Sequence, residues 1–313
     1  MKTVFSEIFK GLFHKALSTA WWMIKIMLPV SFVVMLMQYF GWLEVIASVF
    51  KPVFSFIGVG GEGALVFITS ILLNIYAAIA VIGTIGFGIR EITILAIMCL
   101  IAHNLIIETA IQKKTGSQAA RMVILRISMA IIAGILFNWL LPASTYVQHI
   151  VTKAGQHLTL TQVMKNWVFD SVFLSFKVIG IIIGLMFIQR FLEYMGIMQK
   201  LSAAFRPLMK PFGLSENTSF HWLIANVVGL TYGSAIMIEQ VESGKLKLRD
   251  ADLLNHHVGI SHSLLEDTLL FVAIGVSAWW IVFPRLILAM FAVWIYKAEL
   301  FFLQKKNEIS SVK

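Results

Sequence analysis

The sequence predicts an all-α, polytopic membrane protein built from two inverted repeats, each with an interfacial helix, a re-entrant hairpin and a broken transmembrane helix. Three observations carry that reading. The first is composition. The chain of 313 residues is 59% hydrophobic and 13% charged. Several of its apolar runs approach the ~20 residues a helix needs to cross ~30 Å of hydrocarbon, and they are continuous, without the alternation of barrel strands. The second is internal repetition. Tyr39, Gly41, Phe50, Pro52 and Gly58 recur as Tyr194, Gly196, Phe205, Pro207 and Gly213 at an offset of 155. "HNLIIET" from His103 recurs as "HSLLEDT" from His262 at an offset of 159, which Arg126 and Arg285 keep. The third is the distribution of Lys and Arg, taken up below.

The elements follow in order. Residues 1–19 place Phe5, Ile8, Phe9, Leu12, Phe13 and Leu17 at helical spacing, with Lys2, Glu7, Lys10 and Lys15 between them. That is the pattern of an amphipathic helix on a membrane surface, not of a cleaved signal. The first repeat covers 20–142. It reads as a span at 20–40, an amphipathic segment with a proline at 42–57, an interrupted apolar stretch at 62–88, a span with a His–acid motif, and a closing span at 121–141. Residues 143–166 are too polar to span and read as an extramembrane connector. The second repeat, 167–297, has a span at 168–191, an amphipathic segment at 197–212, an interrupted stretch at 216–239, a second His–acid span and a closing span at 279–296. Residues 298–313 read as a solvated cytoplasmic tail.

The interrupted stretches decide the topology. Two helical arms of about 13 residues would each reach ~20 Å, too short to cross ~30 Å, so 62–88 is expected to enter and return. With both stretches re-entrant and the N-terminus inside, the chain crosses six times. Seventeen Lys and Arg then lie inside and four outside, with Lys25, Arg126, Lys177 and Arg285 within spans. If both stretches crossed, the split would fall to thirteen and eight. The six-crossing arrangement agrees better with the positive-inside rule. It puts three crossings in each half and so inverts one repeat relative to the other, an arrangement of secondary transporters with midplane sites.

An ionisable side chain inside a span costs a few kcal/mol unless paired or wet. Here such groups occur twice at matching places. Asn104 and Glu108 are four apart, as are His262 and Glu266, and Ser263 and Asp267. On a helix each pair would share a face. His103, Asn104 and Glu108 are therefore expected to face His262, Ser263, Glu266 and Asp267 across a wet central cavity. Asn74 and Tyr76, and Asn226, Thr231 and Tyr232, lie midway in the interrupted stretches and are expected at hairpin tips that close the site from opposite sides. These twelve residues are the candidate substrate- and ion-binding set. Ordinary packing by buried polar groups is the competing explanation, and the duplication argues against it.

Other chemistries lack their motifs. There is no H-E-x-x-H, and "HSLLED" has the wrong order. There is no G-x-S-x-G, and "GVGGEGA" lacks the Lys-Ser/Thr of a phosphate loop. No enzyme, cofactor or metal site is expected, and His256 and His257 read as interfacial. The single cysteine, Cys99, excludes an intrachain disulfide. The net charge of +9 fits basic loops at an anionic leaflet and does not call for nucleic acid.

Two stretches, "YFGWLEVIASVFKPVFSFIGVGGEGALVFITSILLNIY" and "FRPLMKPFGLSENTSFHWLIANVVGLTYGSAIM", resemble the Gate, or nucleoside recognition, domain. Similar domains occur in concentrative nucleoside transporters, in the membrane part of ferrous-iron transporters and in spore maturation membrane proteins. No GTPase domain accompanies them here, and no complete nucleoside-binding set matches. The resemblance implies the fold more strongly than the substrate. Together these readings lead to the expectation of a secondary transporter for a small polar or amphiphilic, nucleoside-like solute, coupled to H+ or Na+. It would sit in a bacterial inner membrane with both termini cytoplasmic, in contact with lipids, and a homo-oligomer would be compatible with it. The alternative is a non-transporting membrane partner or assembly protein.

Overall fold

The computed structural model describes residues 11–142 and 159–311, without the side chains at 231, 232, 234, 235 and 306–311. Among the described residues the chain is all-helical, with no strand. In chain order the helices are α1 Leu12–Tyr39, α2 Trp42–Ile57, α3 Gly63–Leu72, α4 Ile75–Ile85, α5 Ile89–Ala102, α6 Leu105–Lys114, α7 Ala119–Leu140, α8 Leu160–Tyr194, α9 Ile197–Met209, α10 Ser219–Val227, α11 Leu230–Glu242, α12 Leu248–Ser261, α13 Glu266–Val272 and α14 Ala278–Ser311. A 3-10 turn, Glu216–Thr218, precedes α10.

Among the described residues, five stretches are long and apolar enough to cross a membrane: α1, α5 taken with α6, α7, α8, and Ala278–Lys305 of α14. The sixth expected crossing differs. It is made of α12 and α13, only 14 and 7 residues long, and these carry Arg249, Asp250, Asp252, Glu266 and Asp267. Length and hydropathy alone do not single it out.

Three expected boundaries move. α1 is unbroken from Leu12, so residues 12–19 prolong the first span instead of forming a separate surface helix; residues 1–10 lie outside the described residues. α8 begins at Leu160, so 160–166 are helix and not connector; residues 143–158 also lie outside the described residues. Thr159 starts α8 with a capping box: its hydroxyl accepts from Gln162 N–H at 3.4 Å, and Gln162 Oε1 accepts from Thr159 N–H at 2.9 Å. α14 runs to Ser311, so 298–311 continue the closing helix. No glycine or proline stands at any of these points to interrupt the helix.

The repeat is visible in the elements: α1–α7 and α8–α14 follow in the same order. The recurring glycines have a backbone reason. Gly41 and Gly196 precede α2 and α9 with φ of 74° and 61°, and Gly58 and Gly213 follow them, both at 75°. A side chain disfavours that conformation, and a Cβ on Gly58 would also strike the Asn138 side chain. Each interrupted stretch is a pair of short helices. α3 and α4 have 10 and 11 residues, about 15 Å each, and the chain breaks between them at Leu73 and Asn74. α10 and α11 break at Val228 and Gly229.

α5 and α12 form the centre. Residues 94–102 of α5 are wholly buried, and so is most of α12. The two helices pack on each other, and α7 and α14 flank both. The outside is apolar instead: Phe169, Phe173 and Phe176 on α8, Ile124 and Trp139 on α7, and Phe291 and Ile295 on α14 are exposed. A greasy exterior around a polar interior is what a bilayer requires.

Candidate functional site

The site forms where α5 and α12 stop. His103 and His262 end them in extended backbone, with ψ of 157° and 164°. The next residues, Asn104 and Ser263, have φ of 49° and 53° and are the non-glycine residues with positive φ among those described. That conformation costs roughly 1–2 kcal/mol for an L-residue. Its occurrence at both corresponding places shows that the surrounding packing imposes it. The hydrogen bonds show how. Asn104 N–H donates to Ser70 O at 2.8 Å, and Ser263 N–H donates to Ala225 O at 3.0 Å. Each break is thus tied to the last turn of the first hairpin arm.

Breaking a helix orphans carbonyls at its C-terminal end. Arg126 takes two of them, through Nε to Ile101 O at 2.8 Å and Nη2 to His103 O at 2.7 Å. Arg285 takes His262 O through Nη1 at 3.2 Å, and its Nε donates to Ile281 O at 2.8 Å. Both arginines are 0% exposed. A cation is favourable at a helix C-terminus, and here the broken helix replaces the water that the guanidinium loses.

Between the two breaks lie His103, Glu108, His262 and Asp267, all buried. The imidazole rings are 4.8 Å apart at their centroids, with Nε2 to Nε2 at 3.3 Å. His262 Nε2 is 3.1 Å from Glu108 Oε2. His103 Nε2 is 3.5 Å from both Glu108 Oε1 and Asp267 Oδ2. Glu108 Oε2 is also 2.7 Å from Arg126 Nη2. Asp267 has no such partner: among the described residues no arginine pairs with it, and Arg285 reaches the Thr268 hydroxyl at 3.4 Å. Two carboxylates and two guanidiniums balance in charge, but only one of each is in direct contact.

The structure sorts the predicted residues. His103, Glu108, His262 and Asp267 do come together, in direct contact and not across a wet cavity. Glu266 turns away and accepts from the Tyr76 hydroxyl at 2.5 Å, which joins α4 of the first half to α13 of the second. Asn104 and Ser263 contribute through their backbone. The four-residue spacing fails as a helical argument for Asn104 and Glu108, His262 and Glu266, and Ser263 and Asp267, because the first member of each pair lies outside the helix that holds the second. Asn74 is the N-cap of α4, accepting from Ala77 N–H at 2.9 Å. The Asn226 side chain donates through Nδ2 to Trp222 O at 2.8 Å, and its backbone carbonyl accepts from Leu265 N–H at 3.1 Å. Asn74 and Asn226 are not counterparts: the offset of 155 pairs Asn74 with Gly229 and Asn226 with Ile71. The side chains of Thr231 and Tyr232 lie outside those described. Arg126 and Arg285 were missing from the predicted site, although their shared offset was the signal that could have added them.

The family model described as Gate, nucleoside recognition, matches residues 20–121 and 175–293. The chain is similar to the uncharacterized membrane protein YvoD of Bacillus subtilis (strain 168), with 28% identity over 276 residues, 87% of this chain and 88% of that protein. No solved structure matches it. The two matched segments fall on the two repeats, each holding a hairpin and a broken helix, and the chain belongs to the Gate, or nucleoside recognition, family.

Proposed function

We propose that the protein is a secondary transporter in which the cluster of His103, Glu108, His262 and Asp267 is exposed alternately to the two sides of the membrane. The observation that carries this is the cluster itself. Four ionisable side chains and two buried arginines meet where two repeats join, inside a helical body with an apolar exterior. Charges at such depth mark substrate or ion pathways, and repeats with broken helices meeting at a site supply the moving parts. The solute is small and polar; the family description names nucleoside recognition, and a nucleoside-like molecule is the first to try. The cluster takes the coupling cation, for which the sequence reading names H+ or Na+. The halves move as inverted units about it, in the bacterial cytoplasmic membrane.

The test is flux into sealed proteoliposomes under imposed ion gradients. Wild type should accumulate a solute, and Glu108→Gln with Asp267→Asn should abolish or uncouple accumulation without unfolding the protein. Full activity in the double variant would remove the cluster's carboxylates from the coupling path, and no flux of any candidate solute under any gradient would replace this reading with a membrane assembly partner.

A further inference from the structure

We propose that His103, His262 and Asp267 bind a divalent transition-metal ion of the Zn2+ type. The argument begins with the rings. Each Nδ1 lies against the carbonyl four residues back, His103 on Cys99 O at 3.1 Å and His262 on Val258 O at 2.8 Å. A carbonyl can only accept, so in each neutral ring Nδ1 carries the proton and Nε2 is a bare lone pair. These two lone pairs face each other at 3.3 Å, an arrangement that repels unless a cation lies between them.

The spacing matches a metal. Tetrahedral bonds of ~2.0–2.1 Å set neighbouring ligand atoms about 3.3 Å apart. The Nε2–Nε2 edge is 3.3 Å and His103 Nε2 to Asp267 Oδ2 is 3.5 Å. One ligand atom from each of His103, His262 and Asp267 lies within 4.8 Å of the others.

An independent observation points the same way. Asp267 is 3% exposed, yet its Oδ2, 3.5 Å from His103 Nε2, makes no hydrogen bond. The carbonyls behind each Nδ1 are the usual outer partners of metal-binding histidines, fixing tautomer and ring orientation. Imidazole donors favour a transition metal over Na+, Mg2+ or Ca2+, which take oxygen. Glu108 is paired with Arg126 at 2.7 Å, whereas Asp267 has no arginine partner among the described residues, which leaves its carboxylate to the ion.

The inference deepens the transport reading by naming the cation of its cluster, but binding is measured without flux. Full-length protein in detergent, stripped of metal, is titrated with Zn2+ by calorimetry and with Co2+ by visible absorption. The expected result is one ion per chain, with the intense d–d bands of tetrahedral Co2+. His103→Gln and Asp267→Asn should each weaken Zn2+ by ~10-fold or more, and His256→Gln should not. X-ray absorption on Zn2+-loaded wild type guards against variants that fail to fold, and should show two imidazoles in the shell. No uptake by wild type, an all-oxygen shell, or wild-type affinity in a folded His103→Gln variant would overturn the proposal and leave a proton shared by the two rings. A loaded protein that moves no solute keeps the metal site and loses the transporter; flux without metal binding does the reverse.

Discussion

The loop after α6 and the loop after α13 occupy corresponding places in the two halves, and they join the opposite half by different physics. At the first, Ser117 Oγ donates to Asp252 Oδ1 at 2.6 Å and Tyr296 Oη donates to Asp252 Oδ2 at 2.7 Å. Asn255 Nδ2 reaches Thr115 Oγ1 at 2.8 Å and Ser117 Oγ at 2.9 Å. Arg121 makes two bonds to Glu299, at 2.7 and 2.6 Å, and lies 4.6 Å over the Tyr296 ring. The offset of 159 turns Thr115, Ser117 and Arg121 into Ile274, Val276 and Trp280. It places Thr93, Ala96, Phe137 and Leu140 where Asp252, Asn255, Tyr296 and Glu299 stand. At that second joint Phe137 and Trp280 meet edge to face at 5.8 Å.

One backbone joint is therefore held by hydrogen bonds and the other by apolar contact. The polar joint can exchange its bonds for water, so opening it costs only about 0.5–1.5 kcal/mol per bond. The apolar joint loses roughly 25 cal/mol for each Å² it exposes to water. The outer helices add a second asymmetry. α1 packs on its own hairpin arm α4 and on α8, whereas α8 packs on α1 and touches α4 and α13. A repeated backbone is held by two unequal joints.

Five substitutions test how unequal the halves are. The largest effect is expected in the cluster. Arg126→Met strands Glu108 and two carbonyls, and breaking a buried pair costs about 3–5 kcal/mol. Arg285→Met removes bonds to carbonyls and a hydroxyl, about 1–3 kcal/mol. Thermal unfolding in detergent should rank them in that order, and the reverse order would show that the pairing of Glu108 with Arg126 is misassigned. Next is Trp280→Ala at the apolar joint. A core aromatic deletion costs about 3–5 kcal/mol, and half-burial reduces this to about 2. The effect should be indifferent to salt; a salt-dependent loss would contradict an apolar joint.

Tyr296→Phe removes one hydrogen bond to Asp252 and should cost about 1 kcal/mol. A neutral result in the same unfolding assay would mean that the polar joint is already hydrated. Smallest is Arg121→Gln. Its ion pair with Glu299 is partly exposed, so the loss should be below about 1 kcal/mol and shrink further in high salt. A loss equal to that of Trp280→Ala would erase the distinction between the joints.

Much of the architecture was legible in the residues. Apolar runs, duplicated Gly and Pro, and the lengths of the interrupted stretches reflect local requirements: hydrocarbon thickness, positive φ, and the reach of a short helical arm. Each is decided within a few residues of chain. The His and acid positions were legible for a similar reason, because charge inside an apolar run is conspicuous wherever it points. Which of them would meet was not. Glu266 and Asp267 are adjacent in sequence, yet one bonds Tyr76 and the other faces His103.

What the sequence by itself determined is the membrane class, the two repeats, the hairpins and the short list of buried ionisable groups. Tertiary structure alone decided that α5 and α12 stop at His103 and His262, that Arg126 and Arg285 cap the stops, and that two Nε2 atoms come within 3.3 Å across 159 residues. It also decided that 298–311 stay helical and that the corresponding joints are unequal. The physical reason is that a helix break is stable only when its freed N–H and C=O groups find partners elsewhere, and here those partners come from other elements, remote in sequence.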